Sequence, residues 1–247
     1  KMIRKMLIIS NPGELGAENY CEGVNQDVIR YREFFMSAAG GSWESFEIQT
    51  LKQPLPSQVD AALRGLASAN YSMVIFCGHG YSRRDGTTMV ELCKGYDYDS
   101  TNLNRGAVKH SVILDCCRVV WDAALEKAQS RFDLYEFAER PISREIARAR
   151  FDYALTQCQN GLVILYACDT NESAEDDSRN GGVYSHALRS AAISWSKSQT
   201  REKTASIVAM HDIAAGRVRL LTNNRQNPQI MKPRTVPYFP FVVSLWQ

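Results

Sequence analysis

Two short stretches decide how this chain folds and where its chemistry lies: Ile113-Leu-Asp-Cys-Cys-Arg118 and, upstream of it, Phe76-Cys-Gly-His-Gly80. Each starts as the apolar run of a buried strand and ends in polar or reactive residues. In an open α/β sheet the carboxyl ends of neighbouring strands converge on one crevice. His79 and Cys117, 38 residues apart, can therefore meet there as base and nucleophile. A thiol of ordinary pKa, about 8.5, is only a few per cent thiolate near neutrality, and an adjacent imidazole is the usual way to raise that fraction. Glycine on both sides of His79 leaves room for a substrate backbone, and the Gly80 amide is placed to donate to a developing oxyanion. Free cysteines are commonly just small buried hydrophobes. Here Asp115 and Arg118 flank the cysteine pair at a strand end, where charges need partners or water, and that favours a site.

Outward from these motifs, short apolar runs alternate with longer helical patterns, the order of strands crossed over by helices. Strands are predicted at 6–10, 45–51, 72–77, 111–115, 162–168 and 238–245. Helices are predicted at 24–36, 58–69, 143–158, 184–196 and 206–221. Pro54, Pro56 and Ser57 mark the start of the second helix, and Asn160-Gly161 the stop of the third. The longest irregular stretches are 78–109 and 169–182, and long loops beside strand ends tend to carry function. The start, Lys1-Met-Ile-Arg-Lys-Met-Leu-Ile-Ile-Ser10, has too few consecutive apolar residues for a signal sequence or membrane span and reads as the first strand.

Composition narrows the classes of function. At 247 residues and 45% hydrophobic, the chain can bury one large α/β core. Lys and Arg (29) nearly balance Asp and Glu (27), so no overall field favours nucleic acid or an anionic membrane, and a protein substrate or small ligand is easier to defend. Seven cysteines without dense regular spacing suggest reduced thiols and a cytoplasmic setting. Cys21, Cys93, Cys158 and Cys168 lack the paired spacing of a zinc site, and His110, His186 and His211 read as surface or structural.

His79-Gly80 and Asp115-Cys-Cys-Arg118 resemble the paired motifs of the caspase-like clan of cysteine peptidases, most closely bacterial caspase-like proteins and metacaspases, in which Ser-Gly-His-Gly and Asp-x-Cys recur. The spacing is shorter than the roughly 50 residues of the caspase signature. Gly23-Val-Asn-Gln-Asp27 is similar to the family's opening motif. Leu165-Tyr-Ala-Cys168 with Glu172-Ser-Ala174, Gly181-Gly-Val-Tyr-Ser-His-Ala-Leu188, Asn227-Pro-Gln-Ile230 and Phe239-Pro-Phe241 match later blocks in order, so the resemblance covers nearly the whole chain. It implies a caspase-like three-layer α/β sandwich with a six-stranded, mostly parallel sheet and helices on both faces. It also implies one domain over 1–247, divided into a large-subunit-like part (1–118), a linker and helix (119–160) and a small-subunit-like part (161–247).

The resemblance assigns roles residue by residue. Cys117 would be the nucleophile, His79 would polarise the scissile carbonyl or shuttle the proton, and the amides of Gly80 and Cys117 would form the oxyanion hole. Cys116 would be a packing residue. An acidic first-position pocket would fall on Asp27, Cys77 and Asp115, favouring Arg or Lys in the substrate; the other reading of Asp115 is a loop cap or a partner of Arg118. The stretch 119–141 falls where animal caspases are cut, and if the enzyme prefers basic residues then Arg131, Arg140, Arg144, Arg148 and Arg150 offer self-cleavage sites; a solvated charged helix is the other reading. No cofactor is needed for the chemistry. Glu175-Asp-Asp177, near Asp169 and Glu172, reads first as a solvated loop, with calcium recruitment of the kind metacaspases show as the other reading; calcium or a small signalling ligand is a candidate activator. The implied biology is a bacterial effector of antiphage defence or programmed cell death that cuts a pore-forming protein or another effector in response to a sensor. A catalytically silent peptide- or ligand-binding module is the alternative, and the retained His79 and Cys117 count against it. A redox dithiol at Cys116/Cys117 is a third reading, weakened by the strain of a disulfide between adjacent residues.

Overall fold

Strand β1 (Arg4–Asn11) displays the rule that builds the central sheet. Met6 and Ile8 enter one apolar cluster while Leu7 and Ile9 enter the other, so side chains alternate between two buried faces. The same alternation runs through β3 (Tyr71–Gly78), after β2 (Ile48–Lys52): Met73, Ile75 and Cys77 face one way, Val74 and Phe76 the other. Strands buried on both faces read as continuous hydrophobic runs, which is why the sequence exposes them so clearly. The structure is a computed structural model and describes residues 2–118, 142–177, 179–198 and 201–246.

After β3 come β4 (Gly80–Ser82), β5 (Thr88–Cys93) and β6 (Tyr96–Asp99), then β7 (Lys109–Asp115), β8 (Gly161–Tyr166), the two-residue strands β9 (Asp176–Asp177) and β10 (Gly181–Gly182), β11 (Thr204–Ser206), β12 (Gln229–Met231) and β13 (Pro240–Val243). The main sheet has six strands in the order β12-β8-β7-β3-β1-β2, all parallel except β12, which runs antiparallel to β8. Helices α1 (Glu22–Met36), α3 (Arg144–Gln157), α4 (Val183–Lys197) and α5 (Ile207–Leu221) feed one cluster. On the other face, α2 (Pro56–Leu66) shares its cluster with β5. This is the expected three-layer α/β arrangement.

Three expectations need correction. The strand predicted at 45–51 begins only at Ile48, because Ser45–Glu47 forms a 3-10 turn in which the Glu47 carboxylate accepts from the Glu44 amide at 2.8 Å and from Arg148. The last predicted strand, 238–245, shortens to β13 and pairs with β11 outside the main sheet; the sixth main-sheet strand is instead β12, three half-buried or exposed residues too short to carry a periodic signal. The stretch 78–109 is not irregular: β4, β5 and β6 form a three-stranded antiparallel sheet, followed by a 3-10 turn at Ser100–Asn104.

Candidate active site

Parallel pairing of β3 with β7 sets Cys77 directly beside Asp115. His79 and Cys117 each lie two residues further on, so both chains leave the sheet side by side, from strands about 4.8 Å apart. His79 is the single residue between β3 and β4, and its carbonyl accepts from the Glu91 amide at 3.0 Å. Both side chains are half-buried and line one cavity of about 40 Å³ with Cys21, Asp27, Asp115, Asp176 and Gly182. The Cys117 thiol donates to the Ala174 carbonyl at 3.7 Å, and His79 Nε2 lies 3.9 Å from Cys21 Sγ.

The adjacent cysteine has the opposite environment. Cys116 belongs to the cluster on the α2 face, and burial pushes its thiol far above the ordinary range. Its sulfur lies so near Gly80 that a Cβ there would come within 2.8 Å of it. Arg118 fixes the loop behind the pair: Nε donates to Thr88 Oγ1 at 3.0 Å, Nη1 to the Cys168 carbonyl at 3.1 Å, and the guanidinium sits 4.3 Å from the Tyr166 ring centre. Asp115 therefore is not the partner of Arg118.

Asp115 instead accepts from the Ser185 amide at 3.0 Å, and among the described residues no salt bridge reaches it. Burial pushes its carboxyl up to about 6, against the pull of the Ser185 hydrogen bonds. Asp27, on α1, accepts from the Gly182 amide at 2.7 Å and pairs with Arg189 Nη1 at 2.9 Å, both ions being almost wholly buried. Burial pushes Asp27 upward too, opposed by Arg189. Burial works against the Arg189 cation as well, yet Asp27, together with Tyr31 and Cys77, more than compensates and its pKa is raised. Cys77, beside Asp115 on the neighbouring strand, is wholly buried and does not line the cavity; burial first and the two carboxylates second hold its thiol neutral. The cavity is roofed by β10, where a Cβ on Gly181 would meet Asp27 Oδ1 at 2.1 Å and one on Gly182 would meet Asp115 Oδ2 at 2.5 Å. Only glycine lets the chain lie this close.

Glu175 pairs with Arg225 at 2.8 Å, and Glu172 accepts from the Asn227 and Asp169 amides, so two of the five acids named for the loop already have partners within the protein. Among the described residues no group of three or more His, Cys, Asp or Glu could hold a metal. Arg144, Arg148 and Arg150 belong to α3, a helical backbone that offers no extended strand to a peptidase; Arg131 and Arg140, with the rest of 119–141, lie outside the described residues. His110 bonds Ser72 and the Leu103 carbonyl, His186 contacts Ser190 at 3.2 Å, and His211 contacts Tyr184, with burial lowering His211 to about 4. No helix among the described residues is long and apolar enough to cross a membrane.

Sequence reasoning missed Arg189, Ser185 and Cys21. Arg189 had a signal, a lone arginine closing the mostly apolar run 183–188, which a buried partner explains.

A parallel sheet with a histidine and a cysteine leaving adjacent strand ends defines a class, and comparison with known proteins agrees. A family model, the caspase domain of the C14 peptidases, matches residues 3–239, and the chain belongs to that family of cysteine peptidases. Caspase-1 from Spodoptera frugiperda has a similar fold, with 11% identity, a TM-score of 0.58 and coverage of 94% of this chain and 86% of that one. No curated protein sequence matches significantly. The protein is thus a cysteine-type peptidase, a hydrolase that acts on protein substrates.

Proposed function

We propose that this chain is an endopeptidase that cleaves after Arg or Lys through His79 and Cys117. The observation that carries the reading is the β3–β7 register, from which both residues emerge together. Cys117 sulfur attacks the scissile carbonyl, and the amides of Gly80 and Cys117 hold the oxyanion. His79 delivers a proton to the leaving amine, and water then hydrolyses the thioester with His79 as base. No metal or organic cofactor enters these steps.

Basic specificity rests on Asp115. Asp27 pairs directly with Arg189, whereas Asp115 makes no ion pair among the described residues and feels Arg189 only at longer range, so a substrate guanidinium or ammonium would supply it a direct counter-charge. A cavity of about 40 Å³ holds a few waters and not an arginine side chain. Substrate entry then requires the Gly181-Gly182 strand to withdraw, which gives an activating ligand, sensor or calcium a step to act on. The role in antiphage defence or programmed cell death, with a pore-forming protein or other effector as substrate, extends this reading on the strength of the bacterial caspase-like motifs.

The test is a fluorogenic panel with Arg, Lys or Asp at the cleavage position, run on native protein and Cys117→Ala, alone and with candidate activators. We expect turnover after Arg and Lys that falls at least about 10⁴-fold in the variant. Preference for Asp would refute the pocket assignment. Turnover untouched by the substitution would refute the nucleophile.

A further inference from the structure

The mechanism gives no task to Cys21, a second thiol on the same cavity. Cys21 is the N-cap of α1, a position usually held by a side-chain oxygen that accepts from the first helical amides, yet it makes no side-chain cap bond. Its thiol donates to the Asn19 carbonyl at 3.5 Å and reaches His79 Nε2 at 3.9 Å. Cys21 and Cys117 thus line the same 40 Å³ cavity, with the imidazole touching the former. Cys116 and Cys77 are wholly buried, their thiols held neutral. Such a space is wide enough for water or hydrogen peroxide and too narrow for a peptide side chain.

We propose that Cys21 is a resolving cysteine, closing a reversible disulfide with Cys117 when a peroxide oxidises the site. The inference rests on Cys117 being the nucleophile. In the first step the Cys117 thiol gives its proton to His79 and the thiolate attacks peroxide: an S–O bond forms, the O–O bond breaks, sulfur is oxidised by two electrons, and the leaving hydroxide takes that proton back from His79 to become water. In the second, Cys21 gives its proton to His79 Nε2 and attacks the sulfenic sulfur. The S–S bond forms as S–O breaks, and His79 returns the proton to the departing hydroxide. Two thiols and one peroxide give one disulfide and two waters. The exchange protects Cys117 from passing to sulfinic acid, which thiols do not reverse.

The experiment treats the full chain with a small excess of hydrogen peroxide and maps its peptides under non-reducing conditions. We expect a Cys21–Cys117 cross-link that persists in Cys116→Ala, disappears in Cys117→Ala and is cleaved by dithiothreitol with recovery of turnover. In Cys21→Ser, whose hydroxyl is a good N-cap, the same treatment should drive Cys117 to sulfinic and sulfonic acids and cut recovery by about tenfold or more. Sulfinic Cys117 beside a free Cys21 thiol in native protein would overturn the inference, as would a Cys21 cross-link to any other cysteine. Because the link is read by mass, a chain that cross-links yet shows no Cys117-dependent turnover with any of the candidate activators would refute the proposed function and leave this oxidation chemistry standing. Turnover without the link would do the reverse.

Discussion

The two walls of the cavity are built by different means. The sheet wall carries His79, Asp115 and Cys117 on residues continuing from β3 and β7, strands buried on both faces and tied by an in-register parallel ladder. The facing wall, from α1, β10 and the start of α4, anchors its two helices in the apolar core but closes on the cavity through one buried ion pair and amides donated to carboxylates: Arg189 to Asp27, Gly182 to Asp27, Ser185 to Asp115. A ladder of many hydrogen bonds in a packed core opens only with global unfolding, whereas a few polar ties can be exchanged locally. The proposed reactive groups thus sit on the rigid wall, and the groups proposed to shape and close the pocket sit on the adjustable one.

Arg189→Met should have the largest effect, because it leaves Asp27 buried without its cation. We expect a loss of about 3–5 kcal/mol in urea denaturation at neutral pH, with most of it recovered in Arg189→Met/Asp27→Asn. A loss below about 1 kcal/mol would show that the facing wall does not depend on this pair. The distinction between the walls would then lapse.

Asp115→Asn tests the acidic floor where the walls meet. With Arg or Lys substrates KM should rise roughly 10–100-fold while kcat changes less, since a charge-assisted bond is replaced by a neutral one. In native protein KM for these substrates should fall as pH rises through about 6, where Asp115 ionises, and the variant should lose that dependence. Stability moves the opposite way. A carboxyl raised in the folded state from 3.8 to about 6 favours the fold while protonated, so its contribution is full below 3.8 and lost as pH rises through 6. The melting temperature of the variant relative to native should therefore climb between pH 4 and pH 7. A flat difference would mean that Asp115 titrates at its ordinary value.

How far the sequence could be read follows the same division. Five of the six main-sheet strands and all five helices were visible: β1, β3, β7 and β8 are largely buried apolar runs, the edge strand β2 showed only with its start misplaced, and the helices carry caps such as Ser143 and Ser206. The β12 edge was invisible: a three-residue antiparallel strand is chosen by its neighbour, not by its own pattern. On the sheet wall, His79 and Cys117 stood out as reactive groups at strand ends. On the facing wall, Asp27 came only from family resemblance, and Arg189 and Cys21 were missed. Their meaning depends on contacts spanning up to 162 residues, which no local window contains.

The smallest expected effect belongs to the pair of adjacent cysteines, where strand alternation alone sends neighbours to different fates. Asp115 points to the face shared with α1 and α4, so Cys116 must point to the α2 face and Cys117 back toward the cavity. Cys116→Ala then removes one small buried group, costing about 1–2 kcal/mol and changing kcat/KM by no more than about twofold. Brief iodoacetamide treatment of native protein should alkylate Cys117 and leave Cys116 unmodified, as peptide mapping can establish. If Cys116→Ala instead lost activity as fully as Cys117→Ala, the alternation would be broken at this strand end and the nucleophile would have to be assigned again.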